Sequence, residues 1–155
     1  MTVSKVLWLI LPLFFVVSYA SDCEHSCSCP TMSQYLRNPI EYVLYSEGPK
    51  CNVNFTCTQK QGSSFQSTFN IATVPRPADA TVVSVLSTDG SVSGGKVNLF
   101  TLFGLTCEND LWYITKFPYG IQYTKTVDGV YDNGHIAASD LEGKGYTAQL
   151  YSIVW

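Results

Sequence analysis

The sequence predicts an all-β fold, an antiparallel sandwich or barrel-like single domain stapled by disulfides. Three observations predict it. Short runs of strand-forming residues recur along the chain with turn signals between them, which is the spacing of antiparallel β domains. Six cysteines all lie downstream of an apolar N-terminal segment. Only 14% of the residues are charged, while Thr, Ser, Tyr and Asn are plentiful, a balance that suits an extracellular β protein rather than a cytosolic helical one.

Residues 1–20 read as a secretory signal peptide: Lys5 in a short polar start, an apolar run at 6–17, and Ser18-Tyr19-Ala20, whose small residues suit cleavage after Ala20. The run is well short of the roughly 20 residues that span a bilayer, and Pro12 interrupts it, so a membrane anchor is disfavoured. No later apolar stretch matches it, and Tyr151-Ser152-Ile153-Val154-Trp155 is too short for a lipid-anchor tail. The remaining residues, 21–155, are expected to form one secreted, extracellular, cystine-stapled β domain without a membrane span. Loss of Lys5 takes the formal charge from −3 to −4, and the charges are scattered. A nucleic acid or an anionic membrane needs a basic face to displace counterions, so neither is expected as a partner.

The elements follow in order. The stretch from Asp22 to Pro30 holds Cys23, Cys27 and Cys29 with no periodicity and reads as a stapled arm. Glu41-Tyr42-Val43-Leu44-Tyr45 is a strand, closed by the Gly48-Pro49 turn. In Cys51-Asn52-Val53-Asn54-Phe55-Thr56-Cys57 the apolar residues alternate with polar ones, which predicts a half-buried strand with both cysteines inward and Asn54 outward. Further strands are expected at 65–72, 81–87, 97–107, 111–116, 120–127 and 146–155. The turns between them are Pro75-Arg76-Pro77, Asp89-Gly90, Gly94-Gly95, Asn109-Asp110, Asp128-Gly129 and Gly143-Lys144-Gly145.

Six cysteines allow fifteen pairings. Alternation along 97–107 turns Cys107 inward with Phe103 and Leu105, so Cys57 and Cys107 are expected to face each other across the core. Cys51 and Cys57 stand roughly 20 Å apart on one extended strand and cannot pair. Cys51 is therefore expected to reach Cys29, whose exit Pro30 stiffens, leaving Cys23 with Cys27. Zinc would want two C-x-x-C pairs or matched Cys/His spacing, and a dithiol oxidoreductase wants one C-x-x-C. The chain has one C-x-C and a stray His25, so no metal, no cofactor and no redox activity is expected.

Asn54-Phe55-Thr56 is an N-glycosylation acceptor on the outer face of its strand. Catalytic signals are sparse. His135, near Asp128 and Asp140, could act as a general base in a small secreted hydrolase, the alternative to a non-enzymatic role, but no G-x-S-x-G or free thiol supplies a nucleophile. A polar hairpin turn accounts for Tyr131-Asp132-Asn133-Gly134-His135 without catalysis. Asp128, Asp132, Asp140 and Glu142 lack the alternating spacing of a calcium loop. Aromatic residues are the better lead. Trp112 is expected in the core against a bridge, whereas Tyr119 and Tyr123 are candidate ligand-facing rings for an extracellular protein or a glycan.

Leu105-Thr106-Cys107-Glu108-Asn109-Asp110-Leu111-Trp112-Tyr113, together with Cys29-Pro30 and Phe55-Thr56-Cys57, resembles the landmarks of small secreted nematode domains of unknown function, the six-cysteine group and its relatives. The similar region spans Cys27 to Trp112. Such domains commonly carry a final cysteine near the C-terminus, and this chain has none after Cys107. The resemblance implies an extracellular location and disulfide bonding, with no established activity. The reading is thus a secreted binding or structural module of uncharacterised activity and unspecified oligomeric state.

Overall fold

A computed structural model of the chain describes residues 27–37, 43–57, 64–80, 85–88 and 98–154. The expected signal at 1–20, Cys23, His25, Glu41, Tyr42 and the turns Asp89-Gly90 and Gly94-Gly95 lie outside these residues.

In chain order the strands are β1 (Val43–Glu47), β2 (Val53–Cys57), β3 (Ser64–Thr68), β4 (Val85–Thr88), β5 (Thr106–Glu108), β6 (Leu111–Ile114), β7 (Ile121–Val127), β8 (Val130–Ile136), β9 (Ala148–Gln149) and β10 (Ser152–Val154). Two single-turn α-helices, α1 (Leu99–Leu102) and α2 (Ala138–Leu141), and two 3-10 turns, Met32–Tyr35 and Phe69–Ile71, stand among them. All strand pairs are antiparallel and form three sheets: β1-β2, β10-β3-β4-β7-β8 and β5-β6-β9. The all-β class is therefore as the alternation predicted.

Three expected strands are broken. The one expected at 65–72 stops at Thr68, and Phe69–Ile71 form a 3-10 turn that buries Phe69. Read as alternating, 97–107 would be extended, but Asn98 caps a helical turn through its side-chain oxygen, which accepts from the Thr101 N–H at 3.2 Å. Leu99 and Phe103, four apart, are then buried on one face. Gly104, at φ 57°, ends the turn: its N–H donates to Thr101 and the Leu105 N–H donates back to Phe100, the closing pattern that favours glycine. Of the strand expected at 146–155, the described residues 146–154 form an extended segment that changes sheets. β9 pairs with β6, the Leu150 N–H donates to the Trp112 carbonyl at 2.7 Å, and the Tyr151 N–H donates to Gln66 at 2.8 Å as β10 joins β3. The segment thus sews the three-stranded sheet to the five-stranded one, and the core fills the space between them. Phe65 and Phe103 meet there with ring centroids 4.8 Å apart, beside Met32, Ile114, Leu150 and Ile153.

β8 was expected as a turn. Asp128 (φ 50°) and Gly129 (φ 78°) instead form a two-residue hairpin loop of the kind whose twist matches that of strands, and β8 continues for seven residues. Its polar sequence hides the strand because it is the sheet's edge, where only Gly134 is buried.

The bridges are Cys27–Cys51 and Cys29–Cys107, which corrects all three expected pairings. Cys51 is not on a strand. It follows Lys50 in the hairpin loop between β1 and β2, both at left-handed φ (57° and 58°), and the Gly48 N–H donates to the Asn52 carbonyl at 2.6 Å to close that loop. The Cys27, Cys51 and Cys107 sulfurs lie within 4.8 Å of one another. Cys57 ends β2 at the opposite end from that loop, on the order of 15 Å or more away along an extended strand, so it cannot take Cys107. The arm comes between: Pro30 accepts from the Trp112 indole N–H at 2.8 Å, and the ring packs edge-on against Phe100. Trp112 is buried, as expected.

Tyr123, expected to face a ligand, is buried on the inner side of β7. Its ring crosses its cross-strand partner Gly134, where any Cβ would collide with the ring, and its hydroxyl donates to Asp79 at 2.9 Å. Alternation alone cannot tell which face of a two-sided strand meets the core.

Two predictions follow from this packing. Closing loops of 78 and 24 residues removes about 4.5 and 3.5 kcal/mol of unfolded-chain freedom, so replacing both members of the Cys29–Cys107 pair by alanine should cost about 1 kcal/mol more than replacing Cys27–Cys51. Denaturant unfolding of the two double variants checks the order, and non-reducing peptide mapping checks the pairs. Burial, and secondarily the Asp79 carboxylate, raise the Tyr123 pKa above 10.0. Because the folded state holds this proton more tightly, its contribution is complete below the unfolded pKa and is lost as pH rises through the folded one. Tyr123→Phe should cost about 1 kcal/mol at neutral pH and flatten the loss of thermal stability above about pH 10.

Candidate functional site

A cleft of about 390 Å³ lies between the loop joining β6 to β7 and the segment from α2 to β9. One wall is local in origin. The Phe103 carbonyl accepts from both the Thr115 and Lys116 N–H groups, at 3.2 and 3.0 Å, and the Gly120 N–H donates to Phe117, so residues 115–120 are pinned against the end of α1. The Thr115 hydroxyl donates to the Gly104 carbonyl, and a Cβ on residue 104 would strike that hydroxyl. The other wall is a short helix and its exit. The Glu142 N–H donates to Ala138 at 3.0 Å and Lys144 to Leu141 at 3.3 Å, while Gly143 (φ 70°) and Gly145 (φ 68°) turn the chain toward Tyr146.

The floor is apolar: Phe117 and Leu141 are buried, with Leu102 half-buried beside them. Tyr146 is half-buried in the wall, and Lys116 and Glu142 are exposed, one on each side of the cleft. An apolar floor with a few polar groups of both signs is the composition of small-ligand sites, and the volume falls within their usual range. The one hydroxyl besides that of Tyr146, on Thr115, is already engaged by Gly104.

A smaller cavity of about 150 Å³ lies beside the bridges, between Cys29, Cys51, Glu47 and Trp112. Its polar group serves the arm, since the Met32 N–H is shared by Glu47 at 3.3 Å and the Tyr45 hydroxyl at 3.1 Å. The neighbouring sulfurs are those of two disulfides, which offer no thiolate to a metal.

Of the residues nominated from sequence, the bridge cysteines Cys27, Cys29 and Cys51 and the core Trp112 line the smaller cavity, while the candidate catalytic and ligand-facing residues are not gathered into either. Tyr119 is 39% exposed but does not line the cleft, and Tyr123 is buried. His135 is exposed on β8 with Nε2 3.4 Å from the Tyr119 carbonyl. Asp128 sits in the hairpin loop, Asp132 pairs with Lys125 at 3.6 Å and accepts from the Asn133 N–H, and Asp140 is on α2. Only Glu142 reaches the cleft. Asn54 is exposed on β2, as alternation predicted, and its side-chain oxygen accepts from Thr56 at 3.2 Å and Asn98 at 3.4 Å. Lys116 and Tyr146, thirty residues apart, had no shared sequence signal. The one hint was Gly143-Lys144-Gly145, a turn whose geometry bends the far wall.

Among the described residues no helix is long and apolar enough to cross a membrane. Neither a curated protein nor a solved structure matches the chain. The resemblance drawn from cysteine and tryptophan landmarks holds at the level of a nematode family without known function. A family model described as TRA-1 regulated protein R03H10.4 matches residues 23–155, and the chain belongs to that family, whose function is uncharacterised.

Proposed function

We propose that this protein is a secreted, non-enzymatic binding module that holds a small ligand, with an apolar body and a polar head, in the cleft between Lys116 and Glu142. The observation that carries the reading is the make-up of that cleft: an apolar floor of Leu102, Phe117 and Leu141 under two rim charges of opposite sign. The signal-like segment at 1–20 and two disulfides support an oxidising, extracellular setting. The cleft's chemistry favours holding over transforming, because Thr115 is engaged by backbone and the histidine nominated for a hydrolase is not among the lining residues. Nothing in the site favours the hydrolase.

The anionic naphthalene dye ANS, apolar in body and negative in head, is a suitable probe. It should bind the folded protein saturably at one site. Lys116→Ala should weaken it about tenfold, equivalent to about 1.4 kcal/mol, and Glu142→Gln should tighten it. Leu102→Trp should fill the cleft and abolish binding with the fold retained by circular dichroism. Binding that ignores all three substitutions sinks the reading.

The module is also proposed to carry a glycan on Asn54, exposed beside its Thr56 partner. Protein secreted by animal cells should lose mass on amidase digestion, and Thr56→Ala should lack that shift.

A further inference from the structure

The outer face of the five-stranded sheet is a second surface with its own chemistry. The register runs straight across it: Ser152 opposite Gln66, Gln66 opposite Ser87, Ser87 opposite Gln122, and Gln122 opposite His135. Because side chains alternate, these residues share the face opposite Phe65, Ile121, Tyr123 and Ile153, which are buried in the core. The next rows on β7 and β8 pair Thr124 with Asn133 and Thr126 with Tyr131. Exposure grows along the row: Ser152 is buried, Gln66 and Ser87 are half-buried, and Gln122 and His135 are exposed.

Among the described residues the strand positions of this face carry no Asp, Glu, Lys or Arg; His135 is their one basic side chain, and Arg37 lies beyond the β10 edge with its guanidinium 5.4 Å over the Tyr151 ring. The nearest charged pair, Lys125 with Asp132, belongs to the opposite face. A soluble protein ordinarily mixes charges of both signs over its exposed surface, so a charge-free sheet face of this extent is unusual. What it offers instead are hydroxyls and carboxamides, each both donor and acceptor, repeating about every 4.8 Å from strand to strand. The Ser152 hydroxyl donates to the Gln66 side-chain oxygen at 2.8 Å, which orients that amide with its NH₂ as the group left to offer. At the open edge, the Tyr131 ring is 79% exposed.

We infer that this face binds a neutral polysaccharide laid across the strands, a surface and ligand class that deepen the binding-module reading without depending on the cleft. The charge balance selects the occupant. Nucleic acid, acidic glycans and anionic lipid all draw affinity from clustered Lys and Arg, and the strand positions of this face carry neither. A protein partner would want buried aromatic or Arg anchors, and the face offers Tyr131 alone. A neutral sugar polymer presents hydroxyls that need donors and acceptors in equal measure, and apolar ring faces that stack on a tyrosine.

The test is co-sedimentation of the disulfide-bonded protein with insoluble β-glucan and with chitin, alongside heparin beads. The expected result is retention on a neutral polymer, unchanged from low to high salt, with little on heparin. Gln122→Glu combined with Thr126→Glu places two charges on exposed positions and should reduce retention at least tenfold, as should Tyr131→Ala, with the melting transition unchanged. Lys116→Ala and Leu102→Trp should leave retention intact, so that failure of the cleft and failure of the face are read separately. Salt-sensitive retention, capture by heparin alone, no retention on either neutral polymer, or retention that survives both the double variant and Tyr131→Ala overturns the inference.

Discussion

The contact on which the rest of this structure depends is the N-terminal arm laid over Trp112. The Cys29–Cys107 bridge ties the arm to β5, the strand paired with β6, and the Pro30 carbonyl receives the indole N–H of Trp112 on β6 itself. A buried indole without an acceptor would be costly, and here the arm supplies it. The same arm carries Cys27 to the loop that holds Cys51, so the β1-β2 hairpin is fastened to the three-stranded sheet through a few residues. Loss of the arm would expose one side of Trp112 and release the hairpin together.

From that corner the fold is carried outward by the C-terminal segment. Pairing first with β6 and then with β3, it joins the three-stranded and five-stranded sheets around one core. Strands of two and three residues, as β9 and β10 are, would not persist alone. They persist because Ala148, Leu150 and Ile153 are buried in the shared core. The cleft is a by-product of this arrangement. It opens where the exits of β6 and α2 meet, next to the pairing of Ile114 with Ala148.

Much of the fold was legible in local chemistry. The turns at Gly48-Pro49 and Asp128-Gly129, the alternation at 53–56 and the burial of Trp112 all express short-range rules of sterics and polarity. The errors share a cause. Alternation in 97–107 and in 120–127 was real, yet it could not say that Asn98 and Gly104 would cap a helical turn, nor that Tyr123 would turn inward over a glycine on the next strand. His135 was nominated by composition, and its neighbours were decided by the pairing of β7 with β8, which sets it beside the Tyr119 carbonyl instead of a carboxylate.

The amino-acid sequence by itself determined the class: short alternating strands, turn residues and oxidisable cysteines downstream of a signal-like segment leave an antiparallel β fold as the means of burying its apolar residues. Only the tertiary structure decided which cysteines meet, because pairing depends on where the arm lies and on Cys51 standing in a loop rather than a strand. It alone assembled the cleft, whose walls come from residues thirty apart, and it alone revealed the uncharged sheet face, since that face exists only once five separated strands are set in register.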